Sequence, residues 1–505
     1  MNISIILLLV IACFLACMSN VQASRRSKAN SVKPNFVIIM TDDQDIVLNG
    51  MAPMKKTQEL LSQKGVTFTN AFTSSPLCCP SRASFLTGGF AHNHRTMNNS
   101  KSGGCYNDFW QQLETYTFPA MLKANGYKTF YAGKYLNTYY GTDIPEGYDS
   151  FYGLQGNSKY YDYKLNENGV INEYTTEYLT DVLLARSLSF IDDQTNATEQ
   201  NPFMMIISPP APHAPYTSAD KYSDRFSDIK APRTPNFNKQ SADKHWLLTM
   251  PPSKLPTSTI KLIDEIYRKR WQTLLSVDDL VEGVVNSLEE KGFLDNTYIF
   301  FTSDNGYHLG QNGQAYDKRQ PYDTDIRVPL IVRGPKIPAK SVSSDLVALL
   351  DFGPTILELS NVQVGGNLFD GISFAHSLVR KSSKPIVKRT KLLIEHWGEG
   401  NEQTYNPDCD WSPDDKLNQC TKDAACHCQD SWNNTYSCIR HIEDKFSNYV
   451  YCEFNDTQNF VEAYDLLEDP HQLSNIGFSE IPSIRAQYQI WISEMKECQG
   501  RNCVH

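Results

Sequence analysis

Two short apolar runs, far apart in the chain, are each followed by a pair of oxygen-bearing side chains. Residues 35–40 form the first run and residues 297–302 form the second. The polar side chains that follow them are Asp42, Asp43, Asp304 and Asn305. Runs of this length are typical of buried strands. Because ligands collect beyond the carboxyl ends of parallel strands, two such strands could bring four oxygen ligands together.

Carboxylate and amide oxygens are the ligands that hard cations prefer, so this set predicts a calcium or magnesium site. Each pair also has a plain structural interpretation. An Asp-Asp pair after a strand commonly forms a turn or a helix cap, and Asp-Asn-Gly is a favoured turn sequence.

Helices and strands alternate between the two runs. The pattern predicts helices over residues 112–124 and 260–291, a short strand over 128–132 and a buried strand over 202–208. The second helix has one apolar face, which indicates core packing: Val277, Leu280, Val281, Val284, Val285 and Leu288. Such alternation predicts an α/β fold, in which a large, mainly parallel sheet is flanked by helices on both faces.

The character of the chain changes near its two ends. Residues 1–23 contain an apolar run and a small-residue cleavage pattern ending at Ala23, which predicts a secretory signal peptide. No Lys or Arg precedes that run, so an uncleaved anchor is the alternative interpretation. We expect residues 30–375 to form the main domain and the Cys-rich residues 376–505 a smaller α+β domain, closed by a helix over 482–498.

Cysteine usage agrees with passage through an oxidising compartment. Of the 13 cysteines, Cys13 and Cys17 would leave with the signal peptide, and setting aside Cys78 leaves an even number that can all pair. Eight lie in the C-terminal region: Cys409, Cys420, Cys426, Cys428, Cys438, Cys452, Cys498 and Cys503. Cys79 and Cys105 would then pair with each other. A zinc site at Cys426, His427 and Cys428 is the alternative for that short motif.

Four glycosylation sequons, each a short and individually weak signal, also agree with secretion. They begin at Asn98, Asn196, Asn433 and Asn455.

The sequence CCPSRASFLTG, residues 78–88, carries the clearest chemical signal. Pro80 suits the first turn of a helix, so free backbone N–H groups and the positive end of the helix dipole would face Cys78. Arg82 adds a guanidinium that matches sulfate or phosphate oxygens. The motif therefore predicts an anion site, although a buried cysteine pair at a helix start would have the same local sequence.

This motif resembles the signature of the type I sulfatases, which have an alkaline-phosphatase-like fold. The resemblance implies that Cys78 is oxidised to formylglycine (3-oxoalanine) by a formylglycine-generating enzyme during synthesis. It also implies one Ca²⁺ ion, held by the predicted oxygen ligands and by the modified residue: Asp42, Asp43, Asp304, Asn305 and Cys78.

Three cationic candidates lie at positions where the sulfatases carry active-site cations. Lys134 follows the strand over 128–132, His213 follows the buried strand over 202–208, and Lys318 follows the Asp304 pair. A surface lysine, a loop histidine without a role and a solvated charge run are the respective alternatives.

The resemblance implies a hydrolysis in which one hydrate oxygen at residue 78 attacks sulfur while His213 or Lys318 protonates the departing sugar oxygen. Calcium, Arg82 and Lys134 would neutralise the charge around sulfur. We expect an acidic activity optimum, because acid protonates histidine.

Many sulfatases have a histidine two residues beyond the Lys134 position, where this chain has Leu136. His92, His94 and His308 are candidates to replace it, although members that act on 6-sulfated N-acetylglucosamine at the ends of heparan or keratan sulfate also have leucine there. This chain is most similar to that subgroup, through its Lys134, Arg268–Asp279 and Lys318 segments and its Cys-rich tail.

Several other functions remain as alternatives. Extracellular heparan endosulfatases share the Cys78 motif but carry a long charged insertion, whereas this chain has a net charge of −10 and lacks basic blocks for gripping polyanions or nucleic acid. A glycan-binding protein without catalysis is the alternative from another class. The resemblance implies lysosomal residence, with secretion as the alternative, and we expect no stable membrane insertion.

Overall fold

The computed structural model describes residues 33–363, 365, 368–379, 387–443 and 446–503. The predicted signal peptide, residues 1–23, lies outside the described residues. Within the described ranges, none of the helices combines the length and apolar character that a membrane span requires.

The strands of the described chain divide between one large sheet and three smaller ones. They are β1 (Asn35–Thr41), β2 (Val66–Phe72), β3 (Lys128–Lys134), β4 (Ser150–Leu154), β5 (Tyr163–Glu167), β6 (Val170–Tyr174), β7 (Phe203–Ser208), β8 (Thr297–Ser303), β9 (His308–Leu309), β10 (Tyr316–Asp317), β11 (Leu330–Arg333), β12 (Ser341–Ala348), β13 (Lys391–His396), β14 (Leu417–Asn418), β15 (Asp430–Ser431), β16 (Tyr436–Glu443), β17 (Ser447–Phe454) and β18 (Val461–Asp465).

The large sheet has ten strands in the order β12-β2-β11-β8-β1-β7-β3-β4-β5-β6. Its centre is parallel, because β1 pairs in parallel with both β7 and β8, and β3 pairs in parallel with β7 and β4. Ile38 of β1 lies opposite Ile206 on one side and Phe300 on the other. All seven residues of β1 are buried, as expected for a strand covered on both faces. The parallel centre was predicted correctly.

The helices flank this sheet and supply the smaller elements around it. They are α1 (Lys55–Leu60), α2 (Cys78–Thr87), α3 (Ala91–His94), α4 (Asp108–Leu113), α5 (Phe118–Ala124), α6 (Leu179–Asn196), α7 (Thr257–Glu290), α8 (Asp323–Ile326), α9 (Phe352–Leu359), α10 (Ala375–Leu378) and α11 (Pro482–Lys496). Short 3-10 helices cover Ser62–Lys64, Glu114–Tyr116, Asp220–Tyr222, Trp246–Thr249, Leu294–Asn296, Leu349–Asp351, Glu402–Thr404, Pro413–Asp415 and Gly500–Cys503.

Two apolar cores cover the two faces of the large sheet. Phe36, Ile38 and Met40 of β1 belong to one core, whereas Val37 and Ile39 belong to the other. The period-two alternation of a strand accounts for this division. The predicted apolar face of α7, from Val277 to Leu288, packs into the second core, which confirms that it is core and not a site.

The predicted continuous helix over residues 112–124 is wrong. The structure has two short helices there, α4 and α5, separated by the 3-10 turn Glu114–Tyr116. Pro119 lies in the first turn of α5, where its missing N–H is harmless, whereas it would break a hydrogen bond in the middle of a longer helix.

The C-terminal region is built on a four-stranded antiparallel sheet in the order β13-β16-β17-β18, against which α11 packs. The described cysteines pair as Cys79–Cys105, Cys409–Cys426, Cys420–Cys428, Cys438–Cys452 and Cys498–Cys503. The zinc alternative is therefore wrong, because both of its cysteines form disulfides and His427 Nε2 is hydrogen-bonded to the Leu247 carbonyl at 3.1 Å. The division into residues 30–375 and 376–505 stays a prediction.

Candidate active site

The four oxygen-bearing side chains predicted to meet do lie together beyond the carboxyl ends of β1 and β8. The backbone N–H of Asp43 donates to Asp304 Oδ1 at 2.9 Å, and Asn305 Nδ2 donates to Asp43 Oδ1 at 2.7 Å. Asp42, Asp43, Asp304 and Asn305 are all buried. The parallel pairing of β1 with β8 produces this arrangement, because it places the ends of both strands at one edge.

Cys78 is the first residue of α2 and faces this group. Its Sγ atom lies 3.6 Å from Asp42 Oδ1 and 3.9 Å from Asp43 Oδ1. Among the described cysteines it is the one without a disulfide, since its neighbour Cys79 is bonded to Cys105. Burial raises the pKa of the Cys78 thiol to about 12, so the unmodified side chain is neutral and weakly nucleophilic at physiological pH.

Arg82 lies one helical turn after Cys78 and is also buried. Its Nε donates to Asp304 Oδ2 at 2.9 Å, and its Nη1 donates to the Lys134 carbonyl at 2.8 Å. Its Nη2 has no hydrogen-bond partner among the described residues and lies 3.7 Å from Asp42 Oδ1. One guanidinium therefore joins the ends of β3 and β8 and keeps a free donor beside Asp42.

Two lysines reach the group from different parts of the fold. Lys134, at the end of β3, places Nζ 2.8 Å from Asp42 Oδ2, and Lys318, after β10, places Nζ 2.7 Å from Asp43 Oδ2. Both ammonium groups are buried, which excludes the surface-lysine and solvated-charge interpretations. Ser158 Oγ also donates to Asp42 Oδ2. The sequence analysis assigned Ser158 no role, since a lone serine in a loop carries no signal of its own.

His213 lies at the same edge, after β7. Its Nδ1 is hydrogen-bonded to the Ala214 carbonyl at 2.6 Å, so this nitrogen is the donor and Nε2 faces the group, 3.8 Å from Asp43 Oδ2. The structure therefore places all three predicted cations, Lys134, His213 and Lys318, around the two aspartates that follow β1.

The charges of the group shift its pKa values strongly. Burial opposes ionisation of Asp42, but Lys134, His213 and Arg82 outweigh burial and hold its pKa well below the usual value. Burial is not fully offset at Asp304, whose pKa rises to about 7. Burial also disfavours the charged form of His213, and so it lowers the pKa of this imidazole below 6.5.

The donor set fits a hard cation. Asp42, Asp43, Cys78 and His213 place ligand atoms within 4.8 Å of one another. Asn305 Oδ1 is buried and has no hydrogen-bond partner among the described residues, as expected of an amide oxygen that coordinates a cation. Asp304 has fewer free lone pairs than Asn305 Oδ1, since its Oδ1 already accepts hydrogen bonds from two backbone N–H groups. His213 Nε2 also lies in this cluster, but its imidazole nitrogen is a softer donor than the oxygen atoms, and the sequence indicated His213 as an acid and not as a ligand.

The three histidines considered as replacements at the Leu136 position are hydrogen-bonded to other side chains, and their role as replacements stays a prediction. His92 is bonded to Glu395 at 2.6 Å, His94 to Ser84 at 2.9 Å and His308 to Asp325 at 3.0 Å. Leu136 itself is fully buried in the core of the large sheet.

A cavity of 440 Å³ opens over the group and is lined by both parts of the chain. Asp43, His213 and Lys318 of this group line the cavity, whereas Cys78 is not among the lining residues. The remaining lining residues include amides, acids, tyrosines and one arginine: Asn99, Asn137, Asn157, Tyr216, Tyr307, Asp317, Arg319, Glu399, Asn418, Gln419 and Gln429. Sequence reasoning assigned none of these a role, because long-range contacts between the two parts of the chain leave no periodic pattern.

Comparison with known proteins gives matches along nearly the whole chain. A family model described as Sulfatase matches residues 34–362. The chain is 45% identical to N-acetylglucosamine-6-sulfatase of Capra hircus over 485 residues, which is 94% of this chain and 85% of that protein. It is also 45% identical to N-acetylglucosamine-6-sulfatase of Homo sapiens over 487 residues, 94% of this chain and 86% of that protein. The extracellular sulfatase SULF-1 homolog of Drosophila melanogaster is 38% identical over 362 residues, 70% of this chain and 32% of that protein.

Solved structures show the same fold. A protein in complex with its substrate D-glucosamine-2-N,6-O-disulfate superposes with a TM-score of 0.72 at 23% identity, over 92% of this chain and 98% of that chain. A phosphonate monoester hydrolase from Silicibacter pomeroyi superposes with a TM-score of 0.65 at 17% identity, over 92% of this chain and 94% of that chain. The predicted fold class, a large mainly parallel sheet of the alkaline-phosphatase-like type with a smaller C-terminal part, is confirmed.

Proposed function

This chain belongs to the sulfatase family, and we propose that it removes the 6-sulfate from N-acetylglucosamine 6-sulfate units of heparan sulfate and keratan sulfate. The observation that carries this proposal is the position of Cys78, which faces the carboxylates of Asp42 and Asp43 where Lys134 and Lys318 pair with them, next to a cavity that Asp43 and Lys318 line. Identity of 45% to two mammalian N-acetylglucosamine-6-sulfatases, over almost the whole chain, supports the substrate.

The proposal requires that Cys78 is converted to formylglycine by a formylglycine-generating enzyme. A buried thiol with a pKa near 12 is a poor nucleophile, and no disulfide protects or occupies it. An aldehyde at this position would supply, as its hydrate, the oxygen nucleophile that an ordinary side chain here does not offer.

We further propose that the metal is one Ca²⁺ ion held by Asp42, Asp43, Asp304, Asn305 and the modified residue 78. The hard oxygen donors and the unpartnered Asn305 Oδ1 support a calcium site. When bound, the ion would polarise the sulfate oxygens.

The cations of the chain would bind and neutralise the sulfate group. Arg82 has a free Nη2 donor beside Asp42. The ammonium group of Lys134 pairs with Asp42, and that of Lys318 pairs with Asp43. These groups are already fixed by buried ion pairs, so they need little reorganisation when charge develops on the substrate.

His213 is the better placed of the two candidates for protonating the departing sugar oxygen. Its Nδ1–H is held by the Ala214 carbonyl, which leaves Nε2 directed at the site and free to carry the transferred proton. Lys318 is less suited to this role. Burial lowers its pKa, but the negative charge of Asp43 outweighs burial and holds the pKa well above the ordinary value. The Lys318 ammonium is therefore a weaker acid than the imidazolium of His213.

We propose action on a chain end over action within a polymer. The cavity has a volume of 440 Å³, and residues such as Glu399 and Asn418 from the C-terminal region line it. The match to the SULF-1 homolog of Drosophila melanogaster covers 32% of that protein, whereas the matches to the two N-acetylglucosamine-6-sulfatases cover 85% and 86% of those proteins. These observations support an exo-acting enzyme over an endosulfatase.

We propose that the protein acts in the lysosome after passage through the secretory pathway, with secretion as the alternative. The five disulfides among the described residues support an oxidising compartment during folding. Glycosylation stays a prediction at all four sequons. Asn196 and Asn455 are exposed and Asn98 is partly exposed, whereas Asn433 is 7% exposed and is the least accessible acceptor.

Mass spectrometry of the Cys78 peptide, combined with a substrate panel, tests the proposal. We expect an aldehyde at residue 78 in protein made by a cell that contains the formylglycine-generating enzyme. We also expect release of sulfate from N-acetylglucosamine 6-sulfate and not from N-sulfated glucosamine lacking a 6-sulfate. An unmodified thiol and no release from either compound would favour a glycan-binding protein without catalysis. Release from internal units of intact heparan sulfate would favour an endosulfatase.

A further inference from the structure

Arg270 is a buried arginine of α7 that lies outside the cavity yet contacts the backbone of two active-site loops. Its side chain is 2% exposed. Its Nη2 donates to the Asp43 carbonyl at 2.6 Å, and its Nη1 donates to the Pro212 carbonyl at 3.2 Å. The first carbonyl belongs to a proposed metal ligand, and the second immediately precedes His213.

The same guanidinium is held from two further sides. Asp45 Oδ1 accepts a hydrogen bond from Nη2 at 3.1 Å, and the guanidinium lies 4.2 Å from the ring centroid of Tyr307. The Tyr307 hydroxyl is hydrogen-bonded to that of Tyr216 at 2.7 Å, and both tyrosines line the cavity. One side chain therefore contacts the loop after β1, the loop after β7 and one wall of the cavity.

The backbone that Arg270 holds is not a relaxed one. Asp43 has a φ of +66°, in the left-handed region that a residue with a side chain adopts only when its surroundings impose it. The neighbouring Asp42 N–H donates to the Ala211 carbonyl at 3.0 Å, so the two loops also contact each other directly. A planar guanidinium with several fixed donors can hold two carbonyls and a carboxylate at once, which a lysine ammonium on a flexible stem does less well.

We propose that Arg270 is a positioning residue that fixes the Asp43 loop and the His213 loop relative to each other. The Asp43 carboxylate and the His213 imidazole then keep their separation of 3.8 Å. Arg270 acts through these loops and does not touch the substrate. The effect of Arg270 on turnover rests on the proposed sulfatase function, whereas its effect on the conformation of the two loops does not.

Hydrogen–deuterium exchange of the full chain, without metal or substrate, tests the proposal independently of catalysis. Arg270→Met should accelerate amide exchange at least tenfold in peptides covering both residues 42–50 and residues 209–216, with other buried peptides unchanged. Arg270→Lys should give an intermediate increase in both peptides, because one ammonium replaces only part of the contact network.

Arg389→Met is the matched control. Arg389 is equally buried and ion-paired, to Asp351 at 2.7 Å, but it contacts neither loop. The control should leave exchange in the two loops as in the wild type. Unchanged exchange in a folded Arg270→Met protein, acceleration in one loop alone, or the same acceleration in the control would overturn the proposal.

Two further measurements separate positioning from general destabilisation. In isothermal titration with Ca²⁺ alone, Arg270→Met should bind Ca²⁺ at least tenfold more weakly than the wild type. In steady-state kinetics, the kcat of this variant should fall at least tenfold, with a KM change of less than threefold. If neither Arg270 variant folds, Asp45→Asn is measured, which removes the carboxylate partner and should accelerate exchange in both loops. Unchanged exchange in that variant would contradict the proposal. Failure of the wild type to release sulfate would count against the proposed function and leave the exchange result standing.

Discussion

The Sγ atom of Cys78 lies 3.6 Å from a carboxylate oxygen of Asp42, although 36 residues separate them in the chain. Asp42 follows the central strand β1, and Cys78 begins a helix whose N-terminus faces the end of that strand. The contact therefore joins the positive end of a helix dipole to a proposed cation site. With the proposed cation bound, an anion at residue 78 would be attracted from both sides, as the charged oxygens of a sulfate ester require.

The acidity of His213 should set the pH dependence of the enzyme. Burial lowers its pKa below 6.5, so the imidazole becomes protonated, and able to act as a general acid, only as the pH falls through that lowered value. We expect kcat to rise as the pH falls from 7. In His213→Gln, kcat should no longer rise as the pH falls from 7, and it should be about 100-fold lower, which is a typical contribution of a general acid. The pH–rate profiles of both proteins check this, and coincident profiles would contradict the role.

Lys134 and Ser158 contact the same oxygen of Asp42 and should contribute unequally. Lys134→Met removes a cation from the sulfate-binding group, and we expect kcat/KM to fall by about 100-fold or more. Ser158→Ala removes one hydrogen bond to a charged acceptor, worth about 1.5 kcal/mol, so we expect a loss of about tenfold. Steady-state kinetics on N-acetylglucosamine 6-sulfate check the ratio. A larger loss in the serine variant would show that the ammonium is not the principal cation.

The Cys79–Cys105 disulfide should stabilise the fold next to the proposed nucleophile. It spans 26 residues, and loop-closure entropy predicts a loss of about 3.5 kcal/mol when both cysteines are changed to serine. The Cys498–Cys503 disulfide spans 5 residues, and the corresponding double variant should lose about 2 kcal/mol. Unfolding in urea checks both values. An equal or reversed order would show that loop length does not govern these two bonds.

Glu114 should make the protein more stable in acid than at neutral pH. Its carboxyl group is 4% exposed, and burial raises its pKa to about 7 although Trp110, Tyr135 and the Glu146 N–H contact it. Because the folded-state pKa lies above the unfolded value of 4.5, the stabilisation is complete below pH 4.5 and is lost as the pH rises through 7.

Between pH 4.5 and 8 the wild type should therefore lose about 3 kcal/mol of unfolding free energy relative to Glu114→Gln, whose amide does not titrate. The free energy of unfolding of both proteins, measured in urea across this range, checks the difference. Parallel pH dependences would contradict it.

The central strands and the residues beyond them could be predicted from the sequence because their signals are local. A fully buried parallel strand is a continuous apolar run, so residues 35–40 and 297–302 correspond to β1 and β8 to within one residue. The ligands after each strand then follow from topology alone. By contrast, residues 112–124 do not form one helix, because Pro119 lies in the first turn of a new helix and the apolar pattern alone does not reveal that break.

The remaining parts of the site depend on contacts between distant segments. Glu399 and Asn418 reach the cavity from the C-terminal region, and no periodicity in either segment indicates which side chains face it. Arg270 lies within a run of basic residues on α7 that resembles a solvated face, although it is buried. Only the packing of α7 against two loops distinguishes it from its exposed neighbours.

Sulfate release from N-acetylglucosamine 6-sulfate by the wild type and by Cys78→Ala tests the central claim most directly. The account predicts stoichiometric release by wild-type protein produced with a formylglycine-generating enzyme. Cys78→Ala should remain folded and release no sulfate above the uncatalysed rate, because alanine lacks the thiol that is converted to the aldehyde. Equal release by the two proteins, or none by wild type that carries the aldehyde, would contradict it.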